Sequence, residues 1–431
     1  MRFFPGIPFI GRESMFHDLI QQMTGRSQLP LYELDEQHVL NKGNIRPFEN
    51  PRGFTGDPKC LMPGDKPDYL NFRAWKLAHA IKKADCAKNA YTRLLPVWSF
   101  GFLLESARVF RWNKDNLRLG EGMANCFADF SRTSLSGRVA QGMAILFMER
   151  RDYSYVGRYP PVQPTNQLSG NRKTPDFIFE KASGTQALIE SKGGFVTPGT
   201  SSPKIKGDLK KALEQLSVGG WSHAKKFAIG TYLHEENDGN HEPSLTAFVE
   251  QNSDGPHSSQ KPQDSLRRES YAAWLYGMGL TDIAADFREG RVRNDQVSIL
   301  FPKIRLGRED YVVGGFYFRP SFRTNEDLHF DWWEFMEFFE PYPWFRGGMT
   351  VGIMGTKLSV MRQISESLRT GAEEPMMRLE IPGELVEPEW PTQLEDGIKV
   401  DGSLFSDGTL LGELTFQRGR FPRLEVEEIP L

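Results

Sequence analysis

The chain is poor in cysteine. Cys60, Cys86 and Cys126 are the only three in 431 residues, and no two of them share a metal-ligand spacing. So few, in odd number, exclude a disulfide framework and fit a reducing compartment. No apolar run approaches the roughly 20 residues that a membrane-spanning helix needs. The opening MRFFPGIPFIG is apolar, but Pro5, Gly6 and Pro8 interrupt it and it holds no signal-peptide core. These absences lead to the expectation of a cytoplasmic protein with no membrane partner. No repeat and no low-complexity tract is present, which excludes solenoid and fibrous classes. Helix-turn-helix and zinc-finger signatures are also missing, so nothing indicates the reading of a base sequence.

A strong charge of one sign is lacking too. Lys and Arg number 53 against 56 Asp and Glu, a net charge of -3. That total hides an uneven spread. Between Arg150 and Lys226 there are 13 basic against 6 acidic residues, a local +7. From Gly371 onward there are 5 against 14, a local -9. A basic middle and an acidic tail suit a polyanionic ligand at one place and repel it at another. Apolar residues make up 39% and charged ones 25%, the balance of a globular chain long enough for two or three domains.

Three regions emerge along the chain. Residues 1–130 read as a helical and irregular N-terminal region: 24–70 are rich in Pro, Gly and Asn, and 72–95 carry helical spacing. Residues 131–290 are better ordered. SLSGRVAQGMAILFMERR, from Ser134, opens on serines suited to capping and continues as an amphipathic helix. YSYVGRYP, PDFIFE and QALIESK read as strands, PKIKGDLKKALEQL as a helix, KKFAIGTYLHEE and SLTAFVE as strands, and DSLRRESYAAWLYGMGL as a helix. Residues 291–431 look β-rich, with an acidic tail. The fold class expected is therefore α/β with a β-rich C-terminal region.

The stretch TPDFIFEKASGTQALIESKGG carries the chemistry. An antiparallel hairpin turning at Ser183 pairs positions that sum to 366, which sets Asp176 opposite Glu190. Lys192 lies two residues beyond Glu190 and so shares its face. Two carboxylates that close repel each other, and a divalent cation offsets the repulsion directly. Hard oxygen ligands suit Mg2+ or Mn2+, which polarises a phosphoryl oxygen and acidifies bound water. Lys192 beside the ion can orient that water or stabilise phosphate charge. The alternative is plainer: a strand-capping Asp and an ordinary ion pair at a sheet end.

Pro175-Asp176 followed by Glu190-Ser191-Lys192, within the order helix, three strands, helix, strand, resembles the PD-(D/E)XK nuclease superfamily. The resemblance covers roughly residues 131–250. It implies a restriction-endonuclease-like core with a three-strand meander, in which Asp176 and Glu190 bind metal and Lys192 serves the hydrolytic water. In this superfamily the preceding helix often adds a metal ligand, which here implies Gln141; the alternative is a surface glutamine. The following helix often turns a glutamine or a basic residue to the site, which implies Gln215, with Lys206 and Lys210 either beside it or on a solvated face.

Other features surround this motif. Arg172, Lys173, Lys204, Lys206, Lys210 and Lys211 flank it and would contact phosphates. Gly193-Gly194 would let a backbone phosphate approach, or merely turn the chain out of the strand. His234 ends a strand, either near the site at the sheet's end or as a plain strand-edge histidine; His223, His241 and His257 show no ligand spacing. GIMGTK at 352–357 lacks the spacing of a phosphate loop. The aromatic cluster at 331–345, with Trp332, Trp333, Phe335 and Trp344, reads as core or protein interface ahead of a base-stacking platform. The expectation is a Mg2+- or Mn2+-dependent endonuclease acting on DNA, with RNA as a lesser alternative. Protein partners would dock on the C-terminal region, and by analogy such nucleases serve prokaryotic defence or mobile elements. The competing reading is a catalytically silent scaffold or nucleic-acid-binding subunit.

Overall fold

The structure is a computed structural model. It describes residues 26–34, 36–40, 60–61, 68–87, 109–112, 116–158, 175–196, 204–217, 225–237, 244–251, 264–293, 298–314, 321–323, 349–371, 387–394, 397–416 and 424–431. The chain is a mixed α/β protein built on two large sheets. Arg172, Lys173 and the 331–345 aromatic cluster lie outside the described residues, as do the side chains of Lys204 and Lys206.

The first sheet contains β1 (Arg26–Leu34), β2 (Cys60–Leu61), β3 (Asp68–Arg73), β6 (Tyr153–Arg158), β7 (Phe177–Lys181), β8 (Gln186–Val196), β9 (Lys225–His234) and β10 (Leu245–Gln251). A short ribbon of β4 (Phe110–Arg111) and β5 (Arg118–Leu119) stands apart. Strand order is β2-β1-β10-β9-β8-β7-β6, with β3 on β1. Strands β6, β7 and β8 form an antiparallel meander. The pairing then turns parallel from β8 to β9, across the helix Lys204–Leu216.

The helices of this half are α1 (Glu36–Leu40), α2 (Ala74–Ala87), α3 (Met123–Cys126), α4 (Asp129–Arg150) and α5 (Lys204–Leu216). Alternation along the central strands gives both faces apolar side chains. Ile189, Phe227 and Ile229 enter one core with α2 and α4. Leu188, Ala228 and Ala247 enter another with Leu209, Leu213 and Leu216 of α5. The sheet is thus covered on both sides, as its parallel pairs require. Phe147 of α4 packs on Phe227 and Phe248, with ring centroids 5.9 and 4.6 Å apart. Helix α4 begins at Asp129, ahead of Ser134 and Ser136, so those serines lie inside the helix and do not cap it.

The N-terminal region is not separate from this core. Strand β1 pairs in parallel with β10, Leu31 against Thr246, and α2 packs against α4 within the same core. The boundary expected near residue 130 therefore does not divide the sheet. Parallel pairing between segments more than 200 residues apart leaves no local trace that would announce it.

Helices α6 (Asp264–Gly277) and α7 (Thr281–Glu289) lead into the second sheet. It comprises β11 (Ser298–Leu306), β12 (Glu309–Gly314), β13 (Ser321–Arg323), β14 (Met349–Lys357), β15 (Thr392–Gln393), β16 (Lys399–Leu404), β17 (Thr409–Phe416) and β18 (Glu425–Pro430). Helix α8 (Leu358–Thr370) packs beside it. The C-terminal region is β-rich, and GIMGTK is strand, not loop. Ile299, Phe301, Val312 and Met354 share one core cluster with Phe147 and Ile189, so apolar packing is continuous across residue 290. Helix α2 adds polar ties to the β16–β17 hairpin. Lys83 pairs with Asp407, and the His79 ring lies between Ser403 O and Thr409 Oγ1, 3.1 Å from each; just before the helix, Arg73 at the end of β3 meets Asp401 at 2.9 Å.

Candidate active site

The β7–β8 hairpin has the register that pairing about Ser183 requires. Phe177 faces Ile189 and Glu180 faces Gln186. Gly184 closes the turn at φ 85°, a left-handed backbone that glycine adopts without steric cost. Lys181 N–H donates to Thr185 O at 2.9 Å. The hairpin tip is anchored by a buried ion pair, Glu180 Oε1 with Arg267 Nε of α6 at 2.9 Å.

Asp176 lies one residue before the ladder begins. Its N–H donates to Ile189 O at 3.0 Å. Its side chain crosses to Ser191 instead of standing squarely over Glu190. Asp176 Oδ2 accepts the Ser191 N–H at 3.1 Å and the Ser191 hydroxyl at 2.7 Å. The simple picture of two acids face to face is corrected accordingly: the carboxylates are neighbours, but Asp176 is held from the strand end.

Glu190 is 3% exposed. Its Oε1 accepts from Lys192 Nζ at 2.5 Å, while its Oε2 is buried with no hydrogen-bond partner among the described residues. Burial and the nearby Asp176 carboxylate push the Glu190 carboxyl up to about 7, against the lowering pull of Lys192 and, more weakly, of the Asp176 backbone N–H. Lys192 also donates to Gln215 Oε1 at 2.6 Å. Gln215 sits on α5, which covers the face that Glu190 and Lys192 share with Leu188. The ammonium is thereby fixed between strand and helix.

Gln141 is half-buried on α4, on the other side of the sheet from α5. No hydrogen bond joins it to Asp176, Glu190 or Lys192 among the described residues. Lys210 is half-buried and Lys211 exposed, and both fall outside the Leu209–Leu213–Leu216 stripe by which α5 packs on the sheet. They form the outer surface of that helix and do not enter the carboxylate pair. His234 is fully buried, its N–H donating to Ser244 Oγ at 2.9 Å.

The glycines after Lys192 admit neighbouring elements to the strand. A Cβ at Gly193 would stand 2.5 Å from Ala140 Cβ and 2.6 Å from Ser136 O, so this glycine lets α4 approach the strand. Gly194 and Gly230 lie under the Tyr232 ring, a Cβ at Gly230 falling 2.9 Å from its Cε2. Gly230 is the register partner of Lys192, so this ring walls the lysine on the β9 side. The Tyr232 hydroxyl donates to Asp208 Oδ2 at 3.0 Å. Ser191, Tyr232 and Asp208 were not singled out from the sequence. Ser191 stood in the motif itself, whereas Tyr232 and Asp208 become visible only once β9 and α5 are placed.

Among the described residues, no group of three or more His, Cys, Asp or Glu gathers to hold a metal ion. Of these residue types, Asp176 and Glu190 stand at the site. No family model, curated protein or solved structure matches the chain. No helix among the described residues is long and apolar enough to cross a membrane.

Proposed function

We propose that this chain is a metal-dependent nuclease with a restriction-endonuclease-like core, cutting phosphodiester bonds in DNA. The observation that carries the reading is the buried Glu190 Oε2, without a hydrogen-bond partner among the described residues, beside Asp176 and Lys192. A buried carboxylate oxygen without a donor costs free energy unless something positive meets it. Asp176 Oδ1 accepts no hydrogen bond among the described residues either. Two hard oxygens, one of them orphaned, fit Mg2+ or Mn2+.

Asp176 and Glu190 would hold that ion, which when bound supplies a Lewis acid for the phosphoryl oxygen and a more acidic water. Lys192 contributes a cation at the same place. Its contact with Gln215 keeps Nζ in position, and its charge opposes the build-up of negative charge on a phosphate. The Tyr232 ring shields it from solvent on one side, which strengthens that electrostatic effect. The helix–meander–helix–strand order around the motif supports the same core.

The experiment is incubation of plasmid, single-stranded DNA and RNA with protein in Mg2+, Mn2+ or EDTA. Cleavage should require the metal and fall by at least about 100-fold in Asp176→Ala and Lys192→Ala. A wild type that binds nucleic acid but never cuts would favour the silent-scaffold reading. One observation favours that second reading: no third His, Cys, Asp or Glu joins the two carboxylates at the site among the described residues.

A further inference from the structure

We infer that Ser191 is a positioning residue for Asp176, an inference that rests on the nuclease reading. In the Glu190-Ser191-Lys192 triplet the outer residues supply charge, and alternation turns the middle one to the opposite face of β8. There Ser191 is buried, at 9% exposure. It still meets the site, because Asp176 precedes the ladder and its carboxylate reaches around the strand end. Both Ser191 donors fall on one oxygen, Oδ2, at 3.1 Å from the N–H and 2.7 Å from the hydroxyl.

A carboxylate with one oxygen saturated in this way has a fixed orientation and leaves its second oxygen to coordinate. Charge-assisted hydrogen bonds are the stronger kind, and two of them on a single atom define a direction. Without the hydroxyl, the backbone N–H alone holds Asp176, and the carboxylate must be ordered when an ion binds. Partners behind a metal ligand change affinity or activity by about 10- to 100-fold when removed. The device is local to the hairpin: one residue between two functional ones orients a third, 15 positions upstream.

The test compares wild type with Ser191→Ala, Ser191→Cys and Ser191→Thr. Mn2+ binding is measured by calorimetry without nucleic acid, and the Mn2+ dependence of cleavage is measured alongside. Ser191→Ala should bind Mn2+ about 10- to 100-fold more weakly, and its cleavage rate should recover toward wild type at saturating Mn2+. Ser191→Thr, which keeps a hydroxyl, should bind Mn2+ within about threefold of wild type. Ser191→Cys keeps the volume with a weak donor, so it reports the loss should Ser191→Ala not fold. Unchanged Mn2+ affinity in Ser191→Ala and Ser191→Cys, beside a wild type that cuts, overturns the role of Ser191 and leaves the nuclease reading standing. A wild type that neither binds Mn2+ nor cuts overturns the nuclease reading, and the positioning role falls with it.

Discussion

Replacing Glu190 by Gln removes a titration that should dominate the pH dependence at this site. The Glu190 carboxyl is pushed from its ordinary 4.5 to about 7, first by burial and then by the neighbouring Asp176. Its side chain is 4% exposed, so solvent screening discounts little of this. Below pH 4.5 the group is protonated in both folded and unfolded chains and adds no pH dependence. Between pH 4.5 and 7 the folded state keeps a proton that the unfolded chain has lost, so stability falls as pH rises. Above 7 both states are ionised and the loss is complete. A shift of that size corresponds to about 3 kcal/mol, at roughly 1.4 kcal/mol per pH unit. Urea unfolding in EDTA, from pH 4.5 to 8, measures it. Glu190→Gln should gain about 3 kcal/mol relative to wild type over that range. Glu413 is raised to about 7 by burial and by Asp401, and titrates in the same window; only the difference between the two proteins is diagnostic. Excess Mn2+ should stabilise wild type at pH 7 and leave Glu190→Gln nearly unaffected. A difference between the proteins that stays flat with pH would refute the assignment of a buried, proton-holding Glu190.

Three further outcomes are expected. Gly193→Ala puts a methyl group 2.5 Å from Ala140 Cβ and should cost about 1–3 kcal/mol in thermal unfolding; an unchanged melting temperature would mean that α4 yields easily. Arg267→Met strips the fully buried Glu180 of its cationic partner, so it should destabilise by about 3–5 kcal/mol, while adding Glu180→Leu should restore most of the loss in denaturant titrations. Lys82 has a buried Nζ without a hydrogen-bond partner among the described residues and a pKa lowered to about 8, chiefly by burial. Lys82→Met should therefore stabilise by up to about 3 kcal/mol at pH 7. That advantage should shrink between pH 8 and 10.5, because there the folded wild type has lost the proton that the unfolded chain still carries and gains stability as pH rises.

Much of the middle region was legible in the sequence because its signals are local. The hairpin register follows from a turn at Ser183 and strict alternation on either side, both contained within Phe177–Val196. The order from α4 to α6 follows from periodicity, with Pro and Gly at the breaks. The β-rich character of 298–416 showed in its Val, Ile and Phe runs. What tertiary structure alone decided depends on partners distant in sequence. Strand β1 joins the central sheet through β10, and no local pattern encodes a parallel pairing over that separation. Phe301 and Met354 complete a core with Phe147 because their side chains meet in space, not because any spacing links them. At the site, alternation placed Glu190 and Lys192 on one face, but the step of Asp176 outside the ladder is a backbone departure that no residue pattern announces. The orphaned Glu190 Oε2, with Lys192 held by Gln215 from 23 residues away, exists only because α5 closes over that face and excludes water from it.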